Sequence, residues 1–460
     1  MQKSKIISLL LYFAPAVGAA QGASSAISFT PFTFAGAGDA KTEADSGTLV
    51  VPANRQRRSS GRVTLPVVRF RTTSATPGNP VIYVSGGSGS GIAAARGARF
   101  NMFMALRGIG DVITLDLRGA GKSTPRVDCG GTGLPGIGEP MTYNAVSKSL
   151  SDHARKCADS LRAAGVDLSG HNVREVVEDI DAVRRGLGAT RINLVGISTG
   201  SQIVLEYLRR HPANVDRIIA AGVQAPDQNR HMSEEQENVV RLLPGNLVAL
   251  VTRVLDTLEA HPQTVSVKNG ANTIVVGLGK FDAQLLVAGT LGDRRPMAFL
   301  PRLFGAAAKG DYTMLAGAKI QGARSGITSA YEAAMDCQTS APANRIAEVN
   351  RQAKSSLLGY GTLDFPEQCT AWGVKPLDNS FRKPVRSNTP VLLISGTLDG
   401  RTPVRNAREA LGYLSNGSHL VIDGASHGDD LFLGSPEIVP TMIRFLSHEN
   451  LSRHLLLKVR

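Results

Sequence analysis

The sequence predicts an α/β protein in which a mostly parallel sheet carries helices on both faces and a mainly helical cap is inserted. First, short runs of aliphatic and β-branched residues at 81–84, 192–195 and 390–395 alternate with amphipathic helical patterns, which is typical of parallel sheets. Second, this alternation stops between residues 228 and 385, where helical patterns dominate, and then resumes. Third, the pentapeptide Gly196-Ile-Ser-Thr-Gly200 lies between a predicted strand and a predicted helix.

The N-terminus has the pattern of a secretory signal peptide, which predicts an exported protein, secreted or periplasmic. Lys3 and Lys5 precede the apolar run Ile6–Phe13, and small residues follow near Ala20. The apolar run is too short to span a bilayer, so we expect no stable membrane insertion. The predicted division is a signal peptide at 1–22, a core at 23–227, a cap at 228–385 and the rest of the core at 386–460.

Composition excludes some classes of partner. The chain has 460 residues, of which 42% are hydrophobic, enough for one large core with an insertion. The formal charge is +13, but aromatic residues make up only 5% and no basic stripe is interleaved with them. We therefore interpret the charge as general surface charge and expect no nucleic-acid partner.

The four cysteines predict two disulfides, because an exported protein folds in an oxidising compartment. They are Cys129, Cys157, Cys337 and Cys369. Three pairings are possible. Pairing along the chain, Cys129 with Cys157 and Cys337 with Cys369, is favoured, and each closure contributes about 3 kcal/mol. No pair has the C-x-x-C spacing of a zinc site, so we expect no metal.

The remaining elements follow from local patterns. Alternating residues predict two antiparallel edge strands, and apolar runs predict further buried strands at Asp111–Leu115 and Arg217–Val223. The last predicted strand is His419–Ile422, followed by a helical terminal segment that carries His448 and His454. The predicted edge strands are Gly47–Pro52 and Arg62–Arg71. After the strand at 390–395, Thr402 is the predicted N-cap of the next helix and Pro403 its first residue.

The strand, tight turn and helix around Ser198 are the context of a nucleophile elbow. Glycine on either side of the serine removes the Cβ atoms that would clash in a strained turn. The hydroxyl of Ser198 would then stand clear of the sheet, close to the start of the helix. The alternative is a glycine-serine turn without chemistry.

A serine hydroxyl needs a base to take its proton, and the base needs an anion that holds its tautomer. His427 is the one histidine that follows the last predicted strand, and Asp399 directly follows the strand at 390–395. Serine, acid and histidine then occur in the order that this arrangement requires. Asp227 is the alternative acid. For the oxyanion, we expect one N–H from Thr199 and a second from the glycine-rich loop, at Gly87 or Ser88.

Two glycine motifs indicate a different class of function, nucleotide binding. Residues 119–124 resemble the tail of a P-loop, but Asp116 stands where the first glycine belongs, and its carboxylate would repel phosphate. Residues 89–94 fit a dinucleotide-binding pattern, but the acid about 20 residues on, Asp111, precedes its strand instead of ending it. Both motifs are therefore weak, and we expect no cofactor.

Together the motifs make the chain similar to the proline iminopeptidase and tripeptidyl aminopeptidase family of serine peptidases, within the α/β-hydrolase superfamily. The resemblance extends over most of the mature chain. It departs from the family at Ser88, where a loop proline is usual, and at Thr199, where an aromatic residue is common. The stretches that carry it are 85–89, 116–123, 193–212, 395–403 and 424–428, with Cys337 and 369–372 in the cap.

The resemblance implies an acyl-enzyme mechanism and a peptide substrate that is cleaved near its free N-terminus. A carboxylate under the cap would then hold the substrate ammonium. A carboxylesterase or amidase acting on small esters or amides is the alternative, and a non-catalytic or nucleotide-binding protein is the alternative of a different class. The candidate carboxylates are Glu234, Glu235, Glu332 and Asp336.

Overall fold

A ten-stranded sheet forms the centre of the molecule. The computed structural model describes residues 26–57, 59–326, 329–360 and 364–459. The predicted signal peptide lies outside these residues. The strands of the large sheet are β1 Phe29–Ala35, β2 Lys41–Pro52, β3 Arg62–Phe70, β4 Val81–Val84, β5 Val112–Leu115, β6 Ile192–Ser198, β7 Val215–Val223, β10 Val391–Gly396, β11 Gly417–Asp423 and β12 His454–Lys458, and a separate hairpin consists of β8 Gln263–Asn269 and β9 Asn272–Leu278.

The sheet is mostly parallel, as predicted. Its strand order is β1-β2-β3-β5-β4-β6-β7-β10-β11-β12. The first three strands pair antiparallel at one edge, and from β5 to β12 every neighbouring pair is parallel. Because β4, β6, β7, β10 and β11 all end at the same edge, the loops that follow them meet there.

Helices cover both faces of the sheet, which confirms the predicted fold class. The described helices are α1 Gly91–Arg96, α2 Phe100–Leu106, α3 Tyr143–Ala163, α4 Val173–Gly186, α5 Thr199–Arg210, α6 Ser233–Leu242, α7 Leu247–Ala260, α8 Lys280–Thr290, α9 Arg294–Met297, α10 Leu300–Ala307, α11 Thr313–Ser325, α12 Ala330–Thr339, α13 Ala343–Ser355, α14 Gln368–Trp372, α15 Val404–Leu411, α16 Asp430–Leu433 and α17 Ile438–Leu446. Among the described residues, no helix is both long and apolar enough to span a membrane.

Alternation along the central strands builds two separate apolar layers. In β6, Leu194 packs with α3, α4 and α5, whereas Val195 packs on the opposite face with α1, α2 and α17. Leu393 and Leu392 of β10 divide between the faces in the same way. Because successive strand residues point to opposite faces, continuous apolar runs are what a sheet covered on both sides requires.

Two strands of the large sheet differ from the prediction. β1 was not predicted, because Pro31 interrupts its pattern, and proline is tolerated on an edge strand. The segment with His454 was predicted to be helical, but it forms β12 and extends the sheet beside β11. Three consecutive leucines there suit either structure, and Leu455 and Leu457 pack against the core as alternate residues of a strand. His448 follows α17 and is not helical.

The segment between β7 and β10 is mainly helical and has its own apolar cluster, which joins α6, α7, α8, α10 and α11. It also contains the β8–β9 hairpin, which the sequence analysis missed although Gly270 marks its turn with a φ of +61°. The exact boundaries of the cap stay a prediction.

Two disulfides link neighbouring elements. Cys129 is bonded to Cys157 of α3, and Cys337 of α12 is bonded to Cys369 of α14. These bonds join positions 28 and 32 residues apart. The second bond ties two helices of the cap segment together, close to the residues described next.

Candidate active site

Ser198 is the last residue of β6 and directly precedes α5. Its φ of 57° and ψ of −127° lie in a region that side chains other than glycine rarely adopt. Gly196 and Gly200 allow this turn, because a Cβ at either position would collide with a backbone carbonyl, that of Gly200 and of Val84 respectively. The strand–turn–helix geometry thus holds Ser198 partly exposed at the carboxyl edge of the sheet.

Asp399 and His427 lie on the loops after β10 and β11. His427 Nδ1 is 2.8 Å from Asp399 Oδ2, and Asp399 is 1% exposed. Burial favours the neutral acid, but His427 and the hydrogen bonds from Thr402 outweigh it, so the pKa of Asp399 is lowered. Ser198 and His427 both line a cavity of about 400 Å³. The structure therefore brings the predicted nucleophile, base and acid to one place.

Thr402 adds contacts that the sequence analysis did not assign. Its N–H and hydroxyl both donate to Asp399, at 2.8 and 2.7 Å, and its hydroxyl oxygen is 3.1 Å from His427 Nδ1. The sequence predicted Thr402 to be a helix N-cap, but α15 begins two residues later, at Val404. The Arg401 N–H also donates to Asp399, at 2.9 Å. The carboxylate is thus held by four donors.

Asp227, the alternative acid, lies elsewhere. Its charged neighbours are Glu409, Arg345 and Arg209, and its pKa is raised, chiefly by burial. The carboxylate that contacts His427 is that of Asp399.

The glycine-rich loop after β4 faces Ser198, and Gly86, Gly87 and Ser88 all line the cavity that contains it. A Cβ at Gly86 would lie 2.9 Å from Ser198 Cβ, so Gly86 is the loop residue packed against the serine. Gly87 lies against the carboxylate of Glu332, and Ser88 pairs with Ser85. Gly87 and Ser88 line the cavity that contains Ser198, and Thr199 lines the adjoining pocket.

The two glycine motifs that suggested nucleotide binding are joined by Asp116. Its carboxylate accepts from Ser90 Oγ at 2.6 Å and from the N–H groups of Lys122 and Ile92 at 2.8 and 3.3 Å. These are the donors that a phosphate would need. The carboxylate of Asp116 therefore uses these donors itself and fixes the loop beside Ser198.

The cap segment contributes a charged wall to the pocket in front of Ser198. Glu332 and Asp336, one turn apart on α12, line this pocket of about 70 Å³ together with Ser198, Thr199 and Asp364. Burial, together with the charge of Glu332, raises the pKa of Asp336 to about 7. The other two candidate carboxylates lie away from it, since Glu234 pairs with Arg351 and Glu235 with Arg405.

His231 and Asp364 form a pair in the same pocket that the sequence gave no means of recognising. His231 Nδ1 is 3.0 Å from Asp364 Oδ1, and the His231 N–H also contacts this carboxylate. Burial alone would raise the pKa of Asp364, but the charges of His231 and Arg230 outweigh it and hold the pKa at about 2. Asp364 in turn raises the pKa of His231 against the effect of burial.

In the described part of the chain, no three His, Cys, Asp or Glu side chains are grouped to hold a metal ion. Ser198, His427 and Asp399 place a hydroxyl, an imidazole and a buried carboxylate around one cleft. This set can activate a hydroxyl for attack on a carbonyl carbon.

Known proteins resemble the chain in two blocks. Residues 79–254 match the α/β hydrolase fold family, and residues 355–454 match a family described as TAP-like protein. The serine protease Hip1 of Mycobacterium tuberculosis is 26% identical over 190 residues, which cover 39% of this chain and 36% of that protein. The putative hydrolase YuaR of Escherichia coli is 30% identical over 119 residues, which cover 26% of this chain and 22% of its own. The chain thus matches little more than a third of the length of Hip1 and less than a quarter of the length of YuaR.

Solved structures of similar architecture include two hydrolases. The proline iminopeptidase of Mycobacterium smegmatis aligns with a TM-score of 0.44 and 18% identity, covering 87% of this chain and 97% of that one. An esterase from Exiguobacterium antarcticum aligns with a TM-score of 0.38 and 14% identity, covering 84% and 96%.

The two family matches leave residues 255–354 between them, within the predicted cap, and include the segments that carry Ser198, Asp399 and His427. Together with the observed sheet, they show that the chain has the α/β-hydrolase fold, and they support a hydrolytic enzyme.

Proposed function

We propose that the protein is an exported serine hydrolase that forms an acyl-enzyme at Ser198 and releases residues or short peptides from peptide N-termini. The observation that carries the serine chemistry is the 2.8 Å contact between His427 Nδ1 and Asp399 at the rim of the cavity lined by Ser198. In this proposal Asp399 holds the Nδ1–H tautomer, so that His427 Nε2 is the base that takes the Ser198 proton.

The acylation step then follows from this arrangement. Ser198 Oγ bonds to the scissile carbonyl carbon while its proton passes to His427, and the carbonyl oxygen becomes an oxyanion. One donor for that oxyanion is the Thr199 N–H, and the other is an N–H of the glycine-rich loop, at Gly87 or Ser88. His427 returns the proton to the leaving amine, and water repeats the sequence to release the acyl group.

The N-terminal specificity rests on Glu332 and Asp336. Both face the small pocket beside Ser198, and Glu332 lies directly against Gly87. A substrate ammonium that binds there would be held by carboxylates within one residue's length of the scissile bond. An esterase needs no such group, so the pocket favours a peptide with a free amino end.

Labelling and acetylation test this proposal. A fluorophosphonate should label Ser198, and one peptide anilide should be hydrolysed about a hundredfold faster than its N-acetyl derivative, since acetylation removes the positive charge that the carboxylates attract. A short-chain p-nitrophenyl ester serves as the comparison. Equal rates for both anilides, or turnover of the ester alone, would support the carboxylesterase instead.

Export is supported by the two disulfides, which oxidising compartments favour. The mature chain should begin near residue 21, and unreduced protein should contain no alkylatable thiol. N-terminal sequencing and mass spectrometry after alkylation of denatured, unreduced protein measure both. Four modified cysteines would contradict the proposal.

A further inference from the structure

Two arginines line the Ser198 pocket without an ion pair among the described residues. Arg230 and Arg401 share the small pocket with Ser198, Glu332 and Asp336, yet neither has a salt bridge within 4 Å or a side-chain hydrogen bond in the described part of the chain. Guanidinium groups that are partly buried are normally paired, because removing their charge from water is costly. Their position beside the nucleophile therefore points to a substrate group as the partner.

Arg230 is also held in an unusual backbone conformation. Its φ is +102°, in a region that favours glycine. Strained residues of this kind occur mainly where surrounding structure fixes a side chain for binding or catalysis. Arg401 is fixed from the opposite side, since its N–H donates to Asp399 and Gly292 leaves room for its guanidinium.

The charges of the pocket indicate the sign of the missing group. His231 and Asp364 form an ion pair, and the charge of Arg230 also acts on Asp364 and Asp336 at longer range. The pKa of Asp336 is about 7, so this carboxyl group is only partly ionised near neutral pH. A bound substrate ammonium adds a positive charge to a pocket that already contains two guanidinium groups. A substrate that also carries an anion would offset that charge.

We propose that Arg230 and Arg401 form a carboxylate subsite on the acyl side of Ser198, so that the enzyme prefers peptides with an acidic N-terminal residue. This inference rests on the proposed aminopeptidase function. The ammonium would lie at Glu332 and Asp336, and the side-chain carboxylate at the two arginines.

The C-terminal carboxylate of a short peptide is the other source of the same chemistry, but the positions of the arginines favour the acyl side. Arg230 lines the pocket that contains Asp336, whereas His427, which protonates the leaving amine in the proposed mechanism, lines the neighbouring cavity with Gly428, and Glu332 lines both. Arg401 borders both cavities. A leaving-group carboxylate would contact Arg401 alone, so the two sources predict different effects of changing Arg230.

The test compares glutamyl and glutaminyl p-nitroanilides, which differ only in the side-chain charge. Wild-type enzyme should prefer the glutamyl substrate at least about tenfold in kcat/KM. Arg230→Gln and Arg401→Gln should each remove most of this preference, because each should lower glutamyl turnover much more than glutaminyl turnover. Arg351→Gln removes the same charge from the cap surface, where Arg351 pairs with Glu234, and should leave the preference intact.

A second arm uses the dipeptide Gln-Ala and its C-terminal amide. Equal rates in wild type support the acyl-side assignment. A preference for the free dipeptide that Arg401→Gln abolishes and Arg230→Gln does not would overturn it in favour of the leaving-group side.

Fluorophosphonate labelling of Ser198 in every variant shows that the fold and nucleophile are intact. Equal glutamyl and glutaminyl rates with normal labelling and turnover overturn only the carboxylate subsite. Normal labelling without turnover of either anilide overturns the aminopeptidase and the subsite together, and loss of labelling in wild type overturns the serine chemistry itself.

Discussion

The two walls of the Ser198 cleft differ in how their charges are neutralised. On the sheet side, Asp399 is buried but receives four hydrogen bonds, and its pKa is lowered. On the cap side, burial and the charge of Glu332 raise the pKa of Asp336 to about 7. A carboxylate that stays ionised suits the fixed task of orienting His427. One that titrates near neutrality suits recognition of a charged substrate, which can supply the compensating charge itself.

Removing the nucleophile should have the largest effect, and it should act on the sheet side alone. Ser198→Ala abolishes the acyl-enzyme route, so kcat should fall by roughly a millionfold. Affinity for a free-amine peptide, measured by equilibrium binding to the inactive variant, should stay close to the wild-type KM because the cap wall is untouched. Full activity in this variant would contradict the assignment of Ser198.

Changing the acid separates the two aspartates considered from the sequence. Asp399→Asn leaves the shape intact but no longer fixes the Nδ1–H tautomer of His427, so kcat should fall by about ten-thousandfold. Asp227→Asn is the matched control, since Asp227 has Glu409, Arg345 and Arg209 as charged neighbours. A greater loss of kcat in the Asp227 variant than in the Asp399 variant would require a different acid.

The sheet-side wall was easier to predict from the sequence than the cap-side wall, because its main features depend on residues that are close together in the chain. The elbow at Ser198 and the position of Asp399 at a strand end depend on neighbouring residues, which a local pattern can show. Thr402 was predicted to be a helix cap because its spacing suits one, but Asp399 takes its hydroxyl. Asp116 was predicted to exclude phosphate, and the structure adds the reason, since its carboxylate holds the donors that phosphate would use.

The cap wall depends on contacts between distant segments. The His231–Asp364 pair spans 133 residues, and α12 carries Glu332 and Asp336 to a serine more than a hundred residues earlier. No periodicity marks such contacts. The same holds for β12, whose three leucines suit a helix until β11 provides a neighbouring strand. Glu332 and Asp336 could be named as candidates from the sequence, but not distinguished from Glu234 and Glu235.

Neutralising the cap wall should have an intermediate effect. Glu332→Gln removes one carboxylate beside Ser198, so kcat/KM for a free-amine anilide should fall by about ten- to a hundredfold, while the N-acetyl anilide is nearly unaffected. Glu234→Gln is the control, because Glu234 pairs with Arg351 outside the pocket. Equal losses for both substrates would show that Glu332 supports the oxyanion loop at Gly87 instead of the substrate ammonium.

The smallest expected effect is a pH dependence that belongs to the cap wall alone. Because the pKa of Asp336 is raised to about 7, the carboxyl group is neutral at lower pH and becomes an anion as the pH rises through 7. The sign therefore follows directly: attraction for an ammonium should be weak at pH 5.5 and grow toward neutrality. The useful quantity is the ratio of kcat/KM for the free-amine and N-acetyl anilides, since a pH effect on the chemistry common to both substrates cancels in it. Between about pH 5.5 and 7, where a substrate amine with a pKa of about 7.7–8 stays protonated, this ratio should rise roughly three- to tenfold.

Asp336→Asn should make the ratio constant, whereas Asp311→Asn, at an exposed carboxylate before α11, should retain the rise. A constant ratio in wild type, or a rise that survives Asp336→Asn, would mean that the titrating wall does not bind the substrate ammonium, and the contrast between the two walls would then concern protein stability instead of recognition.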